Sequence, residues 1–354
     1  MDFQNILSKT PGLIEQLANL EHDPFPVTPI LFAKIKLLWQ CNLACTFCEL
    51  PKAGTPMAKE TVLEVLKGLL PRGLVKIHYS GGEVFLHPEI FPILEESCAL
   101  GLQVNLTTNG TLLDRAKVRA LSEMGVHSVA ISLDAADPAR HDKLRGQKGA
   151  FQATLEAIQV FAQNTKKLPK LRVNTVVTRE NVDQLQGIHD LLSGISPAIR
   201  WKIIPVGGSA KRLRVDREML VALVEQARNW KLLDEPPFDP RQLRNDRFEK
   251  DHPPILKGQY GKRYYADQRC YLPWLHIFID PHGFVYPCCM SRCRIAAFGN
   301  VSENSIAEIL ASATCREFRM NMASSHRMEM CWCCDDFIRE NAMLAEVVKA
   351  YHSS

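Results

Sequence analysis

The stretch Cys41-Asn-Leu-Ala-Cys45-Thr-Phe-Cys48 decides how this chain reads. Its three thiols directly follow the apolar run Leu31-Phe-Ala-Lys-Ile-Lys-Leu-Leu38. The spacing C-x3-C-x2-C is not the C-x2-C rhythm of most zinc modules. Three thiolates are also one fewer than the four that normally hold a cuboidal [4Fe–4S] cluster. A three-ligand set therefore leaves one iron open to a substrate or cosubstrate.

Working outward, short apolar strands alternate with longer helix-like segments from residue 31 onward, the pattern of a parallel α/β architecture. Strands are expected at 31–37, 75–79, 102–107, 128–133, 171–177 and 200–204. Helices are expected at 55–70 (Thr55 as N-cap, Pro56 as first helical residue), 88–100, 112–124, 149–163 and 182–192. Ahead of them, residues 1–30 read as a short amphipathic helical leader (Ile6, Leu7, Leu13, Ile14, Leu17, Leu20) that serves packing. Residues 207–262 read as a helical and irregular linker: 215–233 has helical spacing, but Pro236-Pro237, Pro240 and Pro253-Pro254 punctuate the stretch after it. Residues 263–354 hold eight of the twelve cysteines and read as a second, metal-bearing domain.

Composition sets outer bounds. The 354 residues are 46% hydrophobic and 23% charged, an ordinary globular balance, and the net charge of +4 points to no nucleic acid while suiting an anionic substrate. No apolar run reaches the roughly 18 residues of a membrane span. The N-terminus lacks a basic segment followed by an apolar one, so no secretion signal is expected. Twelve cysteines in such a chain argue for metal or redox chemistry in a reducing compartment, hence a cytoplasmic metalloprotein.

The three-cysteine spacing, with Phe47 just before the third thiol, resembles the signature of the radical S-adenosylmethionine (SAM) superfamily. That resemblance implies a partial (β/α)6 barrel, here at 31–206, with its chemistry at the C-terminal ends of the strands. It implies cofactor contacts there. Gly81-Gly82-Glu83 follows the second strand, as the family's Gly-Gly-Glu turn does. In the family its backbone approaches SAM, and its carbonyls and carboxylate accept hydrogen bonds from the methionyl ammonium. The usual fourth residue is Pro, and here it is Val84. As a bare tripeptide the motif is more often a structural turn; its position after the strand reverses that weighting. Asn109 follows the third strand, where a capping Asx turn is an equal alternative. Ser132-Leu-Asp134 follows the fourth and resembles the family's Ser-x-Asp segment. Leu144-Arg145-Gly146 resembles an Arg-Gly loop element whose guanidinium pairs with the SAM carboxylate. Asn174 and Ile204-Pro205 are weaker candidates of the same kind.

The C-terminal cysteines resemble the family's auxiliary-cluster domain, of SPASM or shorter twitch type. Cys270 precedes an expected hairpin, a strand, the turn Asp280-Pro-His-Gly283, and a second strand ending at Cys288. Cys331-Trp-Cys333-Cys334 then supplies a C-x2-C knuckle. The resemblance implies Cys270, Cys288, Cys331 and Cys334 as ligands of one auxiliary [4Fe–4S] cluster, and no cysteine follows Cys334 for a second one. A four-cysteine zinc site is the alternative that the spacing alone permits. Cys98 reads as a buried small hydrophobe; Cys289, Cys293, Cys315 and Cys333 have no assigned role.

The implied cofactors are thus a SAM-binding [4Fe–4S] cluster on Cys41, Cys45 and Cys48, SAM itself, and the auxiliary cluster. The implied reaction is reductive cleavage of SAM to a 5′-deoxyadenosyl radical that abstracts a substrate hydrogen. The preferred outcome is oxidation or epimerisation of a small polar molecule such as a sugar, aminocyclitol or nucleoside, with a flavodoxin- or ferredoxin-like electron donor. Two other readings stand beside it. One is a peptide maturase, for which some 30 residues ahead of the barrel would be a short leader-binding region. The other is a non-catalytic zinc or iron–sulfur scaffold. Lys202, Arg179, His78 and Tyr79 are noted as possible cavity-facing groups, and no general base is identified.

Overall fold

In a computed structural model, the described residues are 10, 12–26, 29–163, 169–207, 210–231, 256–257, 264–324, 328–334 and 337–353. Ile6 and Leu7 of the expected leader, and the proline clusters of the expected linker, lie outside them.

Six parallel strands form in sequence: β1 Phe32–Lys36, β2 Lys76–Ser80, β3 Gln103–Thr108, β4 Ser128–Ser132, β5 Lys170–Val177 and β6 Arg200–Pro205. Each lies within a residue or so of the stretch expected from the sequence. Three more follow: β7 His276–Ile279, β8 Phe284–Tyr286 and β9 Gly299–Asn300. All nine share one sheet in the order β6-β5-β4-β3-β2-β1-β7-β8-β9, an open, partial barrel with edges at β6 and β9.

Alternation along each strand separates two faces. Ala33 and Ile35, Ile77 and Tyr79, Val104 and Leu106, Val129 and Ile131, Trp201 and Ile203 are all buried. This face joins one apolar core with Val62, Val65, Leu66 and Leu69 of helix Lys59–Leu69 and Ile93 and Leu94 of helix Ile90–Ala99. The alternate positions, among them Lys34, His78, Asn105 and Asn174, form a polar inner face that the helices do not cover.

Three features differ from expectation. First, the helix after β1 begins at Lys59 with Ala58 as N-cap, not at Thr55-Pro56. Met57 N donates to Leu37 O at 2.8 Å and the Met57 side chain is buried, so the chain stays extended against the end of β1. Second, Leu144 and Arg145 end a helix, Pro138–Arg145, that the sequence reading missed. Asp137 caps it, accepting from Arg140 N at 2.7 Å, and Pro138 occupies its first position. Gly146 closes it at φ 69, a left-handed cap. Third, the barrel's sheet runs on into the cysteine-rich segment, a pairing with no signal in the sequence: β7 adds to β1 in parallel, pairing Phe32 with His276 and Ile35 with Ile279. The antiparallel β7–β8 hairpin itself is as expected.

At the chain's two ends, helix Leu13–Ala18 buries Leu13 and Leu17 and packs against the C-terminal helix Ile338–Ser353, which buries Leu344 and Val348. No helix among the described residues is long and apolar enough to cross a membrane.

Candidate functional site

The cysteine loop leaves β1 at its C-terminal end and is fastened there by the ends of β2, β3 and β4. From β2, Gly82 N donates to Leu38 O and Glu83 N to Gln40 O, each at 2.9 Å. This closeness is what the glycines permit. A Cβ on Gly82 would stand 2.1 Å from Gln40 O, and one on Gly81 2.4 Å from Leu38 O. Gly81 also holds φ at 156. The Gly-Gly turn therefore admits the close approach of the cysteine loop.

Glu83 is completely buried. Oε1 accepts from Thr108 Oγ1 at 2.7 Å and from Phe85 N at 3.2 Å, and Oε2 accepts from Asn109 N at 2.7 Å. Burial raises its pKa above the ordinary carboxylate value, and these donors oppose the rise. Its carboxylate thus ties β2 to the end of β3. Asn109 continues the chain of contacts: Nδ2 donates to Asn42 Oδ1 at 2.8 Å and lies 3.9 Å from Cys41 Sγ. Its Oδ1 accepts from Thr111 N at 2.9 Å, the Asx geometry held open as an alternative. Asn42 and Thr111, themselves joined at 2.8 Å, escaped the sequence reading because nothing local marks a pair so far apart in the chain.

The other half of the loop rests on the helix after β4. Ala44 N donates to Arg145 O at 3.0 Å and Thr46 N to Leu144 O at 2.9 Å. A Cβ on Gly146 would lie 2.4 Å from Ala44 O. Arg145, expected in a loop and free for a SAM carboxylate, is buried and engaged. Its Nε lies 2.7 Å from Asp134 Oδ2, an ion pair without hydrogen-bond alignment. Its Nη1 lies 3.7 Å from Cys45 Sγ, and the guanidinium sits 5.5 Å from the Phe47 ring centroid. Asp134, wholly buried, also accepts from Val176 N at 2.8 Å through Oδ1. It stands behind the guanidinium, reaching the loop only through Arg145. Burial raises the pKa of the Cys41 and Cys45 thiols, and Arg145 pulls Cys45 back down. Ser132 is half-buried at the end of β4, beside Asn174 in the register.

Behind Asp134 lies His141, almost fully buried, whose Nδ1 accepts from Asp134 N at 3.1 Å. Burial first, and then Arg145, push its pKa down to about 3. An unfolded histidine titrates near about 6.5. The stability held by neutral His141 is complete above that value and is lost as pH falls toward 3. The expected result is a urea midpoint that declines between pH 7 and 5, with a shallower decline in His141→Gln.

The C-terminal hairpin meets the cysteine loop at Trp39. Trp39 Nε1 donates to His282 Nε2 at 3.2 Å, with Arg292 4.4 Å and Lys36 5.1 Å from the indole ring centroid. Asp280 holds the turn by accepting from His282 N at 3.0 Å. Beyond the hairpin, Cys270, Cys288, Cys331 and Cys334 line one cavity, walled by Met290, Phe318 and other apolar side chains. Among the described residues no three His, Cys, Asp or Glu side chains converge as single-ion ligands. Thiols ringing a hollow suit a polynuclear cluster. Cys315 is fully buried in the core, Cys98 packs against it, and Cys293 is exposed; the side chain of Cys333 lies outside the described ones.

Orphan polar atoms lie around the loop, Gln40 Oε1 and Arg145 Nε among them. Ser80 Oγ, at the end of β2, and Arg145 Nη2 are buried without a hydrogen-bond partner. Buried polar groups of this kind are ones that a polar ligand would satisfy.

Comparison with known proteins bears on this arrangement directly. Residues 39–192 match the model of the radical SAM superfamily, and residues 270–335 match that of the SPASM iron–sulfur cluster-binding domain; together they span more than half of the chain. The chain belongs to the radical SAM superfamily. Radical SAM and SPASM domains carry [4Fe–4S] clusters, and both the cysteine loop and the cysteine-lined cavity fall within the matched segments. Among curated relatives, an AdoMet-dependent heme synthase of Oleidesulfovibrio alaskensis is 27% identical over 54% of this chain and 49% of its own length. One of Methanosarcina barkeri is 32% identical over 43% of this chain and 44% of its own. The chain thus aligns with about half the length of these relatives. Among solved structures, Streptococcus suis SuiB bound to S-adenosylmethionine superposes with TM-score 0.63 at 17% identity, covering 91% of this chain and 73% of that one. The protein anSMEcpe with bound AdoMet gives TM-score 0.58 at 17% identity, covering 91% of this radical SAM chain and 100% of that one. At such identities the likeness is one of fold.

Proposed function

We propose that this protein binds one [4Fe–4S] cluster through Cys41, Cys45 and Cys48, binds SAM beside it, and abstracts a hydrogen from a small polar substrate, which it oxidises or epimerises. The observation that carries the reading is the convergence of β2, β3 and the helix after β4 on a loop of three half-buried thiols, with Ser80 and Arg145 offering unsatisfied polar atoms there. When bound, the reduced cluster and SAM supply a 5′-deoxyadenosyl radical, which is the cofactor's contribution. The chain's own residues do the rest. Asn109 and Arg145 hold the thiols of Cys41 and Cys45 in place, and Arg145 favours thiolate at Cys45. Ser80, Ser132 and Asn174 supply polar contacts at the strand ends.

Cys270, Cys288, Cys331 and Cys334 would hold one auxiliary [4Fe–4S] cluster. Four thiolates complete its shell, so it suits the passage of an electron and not the direct binding of substrate. A flavodoxin- or ferredoxin-like protein would reduce the enzyme. A peptide substrate is the second reading, favoured by the likeness in fold to SuiB, which has also been seen bound to the precursor peptide SuiA.

The test is anaerobic reconstitution with iron and sulfide, reduction, and addition of SAM. About eight irons per chain, as two [4Fe–4S] clusters require, and 5′-deoxyadenosine formation that vanishes in Cys45→Ala are expected. Cys270→Ala should halve the iron while cleavage persists. Bound zinc and no cleavage would instead support a scaffold.

A further inference from the structure

Lys36 ends β1 at the root of the cysteine loop. Ser80, the last residue of β2, is its partner in the parallel register. Both belong to the polar inner face, on strands about 4.8 Å apart. The protein answers neither side chain. Ser80 is 8% exposed, and its Oγ has no hydrogen-bond partner. Lys36 Nζ lies 5.1 Å from the centroid of the Trp39 indole and makes no hydrogen bond or ion pair among the described residues. The neighbouring carboxylate is already engaged. Asp280 comes one residue after Ile279, the register partner of Ile35, which sets it beside Lys36. Its Oδ1 accepts from His282 N at 3.0 Å and from Phe284 N at 3.2 Å, and its Oδ2 faces Arg292 Nε at 3.5 Å. Arg292, 4.4 Å from the centroid of the same indole, therefore has a counter-ion, and Lys36 has none. The other charged or titratable groups acting on Lys36 are Lys34 of its own strand and the thiols of Cys289 and Cys48. Burial first, then Lys34, push its pKa down to about 8, so at neutral pH it is still mainly an ammonium.

An ammonium drawn out of water is ordinarily paired, and a buried hydroxyl without a partner has lost its hydration with no return. One oxyanion accepting from both groups offsets both costs, with a charge-assisted bond to the ammonium. We infer that Lys36 and Ser80 form a subsite at the rim of the barrel that holds a carboxylate or phosphate group of the substrate. The Trp39 ring steadies the ammonium through its π face. The inference rests on the reaction proposed above and names the chemical class of its substrate. A sugar acid or a sugar phosphate fits this subsite. An aminocyclitol without an acidic group does not.

The test is trace acetylation of the reconstituted protein at constant pH, with each lysine followed by mass spectrometry. Three probes share one carbon skeleton: glycerol, glycerate and glycerol 3-phosphate. At least one of the two anions should protect Lys36 at about tenfold or more lower concentration than glycerol does, as one charge-assisted hydrogen bond implies. Protection by one anion and not the other identifies the oxyanion. Lys67, an exposed lysine of helix Lys59–Leu69, should react alike throughout. In Ser80→Ala the protecting concentration should rise about threefold or more, as loss of one neutral hydrogen bond implies. No protection, equal protection by all three probes, or anion protection unaltered in Ser80→Ala overturns the inference. Formation of 5′-deoxyadenosine from SAM is followed on the same preparation. Cleavage without anion protection removes this inference and leaves the reaction standing. Anion protection without cleavage removes the reaction and leaves the subsite.

Discussion

Replacing Arg145 by methionine is expected to cost about 3–5 kcal/mol of stability, because it strands the buried Asp134 carboxylate without its countercharge. Asp134 is inaccessible to solvent and its pair with Arg145 spans 2.7 Å, so water cannot replace the guanidinium. The same change removes the donor near Cys45 Sγ, and loss of a group that orients a metal ligand typically lowers metal affinity by about 10–100-fold. Urea unfolding and iron content of the anaerobic protein measure the two effects separately. Adding Asp134→Asn should restore much of the stability but not the iron, since the neutral amide removes the stranded charge and supplies nothing to Cys45. Arg145→Lys should fall between, because an ammonium cannot reach both partners with a planar fork. Unchanged stability in Arg145→Met would show that the pair does not hold the loop.

The second large effect is expected from Gly82→Ala. The new Cβ would sit 2.1 Å from Gln40 O and 2.5 Å from Trp39 O. Both are backbone atoms at the root of the cysteine loop, with no rotamer to move aside. Overpacking of this kind costs about 1–3 kcal/mol or more. Relief can come only by moving the loop off β2, which breaks the Gly82 N and Glu83 N hydrogen bonds. Production of 5′-deoxyadenosine should drop to background even where the variant still folds. Gly194→Ala is the control. It lies near the end of helix Leu185–Ile195 with nothing within 4 Å of a new Cβ, and should be neutral or stabilising by about 0.4–1 kcal/mol. Full activity in Gly82→Ala would refute the requirement for close approach.

Much of this architecture is legible locally. Each of the six barrel strands is a short apolar run, and strand period and helix period differ enough to be told apart. The helix Pro138–Arg145 is harder to see because it is charged nearly all round, PARHDKLR, and has no apolar stripe for periodicity to detect. Its Asp137-Pro138 start is the signal that was available. The misplaced start of the helix after β1 has the opposite cause. Thr55-Pro56 is a sound local capping signal, overridden by the pairing of Met57 with the strand end.

The sequence by itself determined the chemistry. Thiols at C-x3-C-x2-C, a Gly-Gly-Glu after the second strand and a cysteine-rich C-terminal segment mark a radical SAM protein, because ligand number and spacing are written in the chain. Only the tertiary structure decided what each conspicuous residue touches within the protein. Gly82, Glu83, Asp134 and Arg145 draw their protein neighbours from other strand ends, dozens of residues away. Those neighbours make them the frame of the cysteine loop.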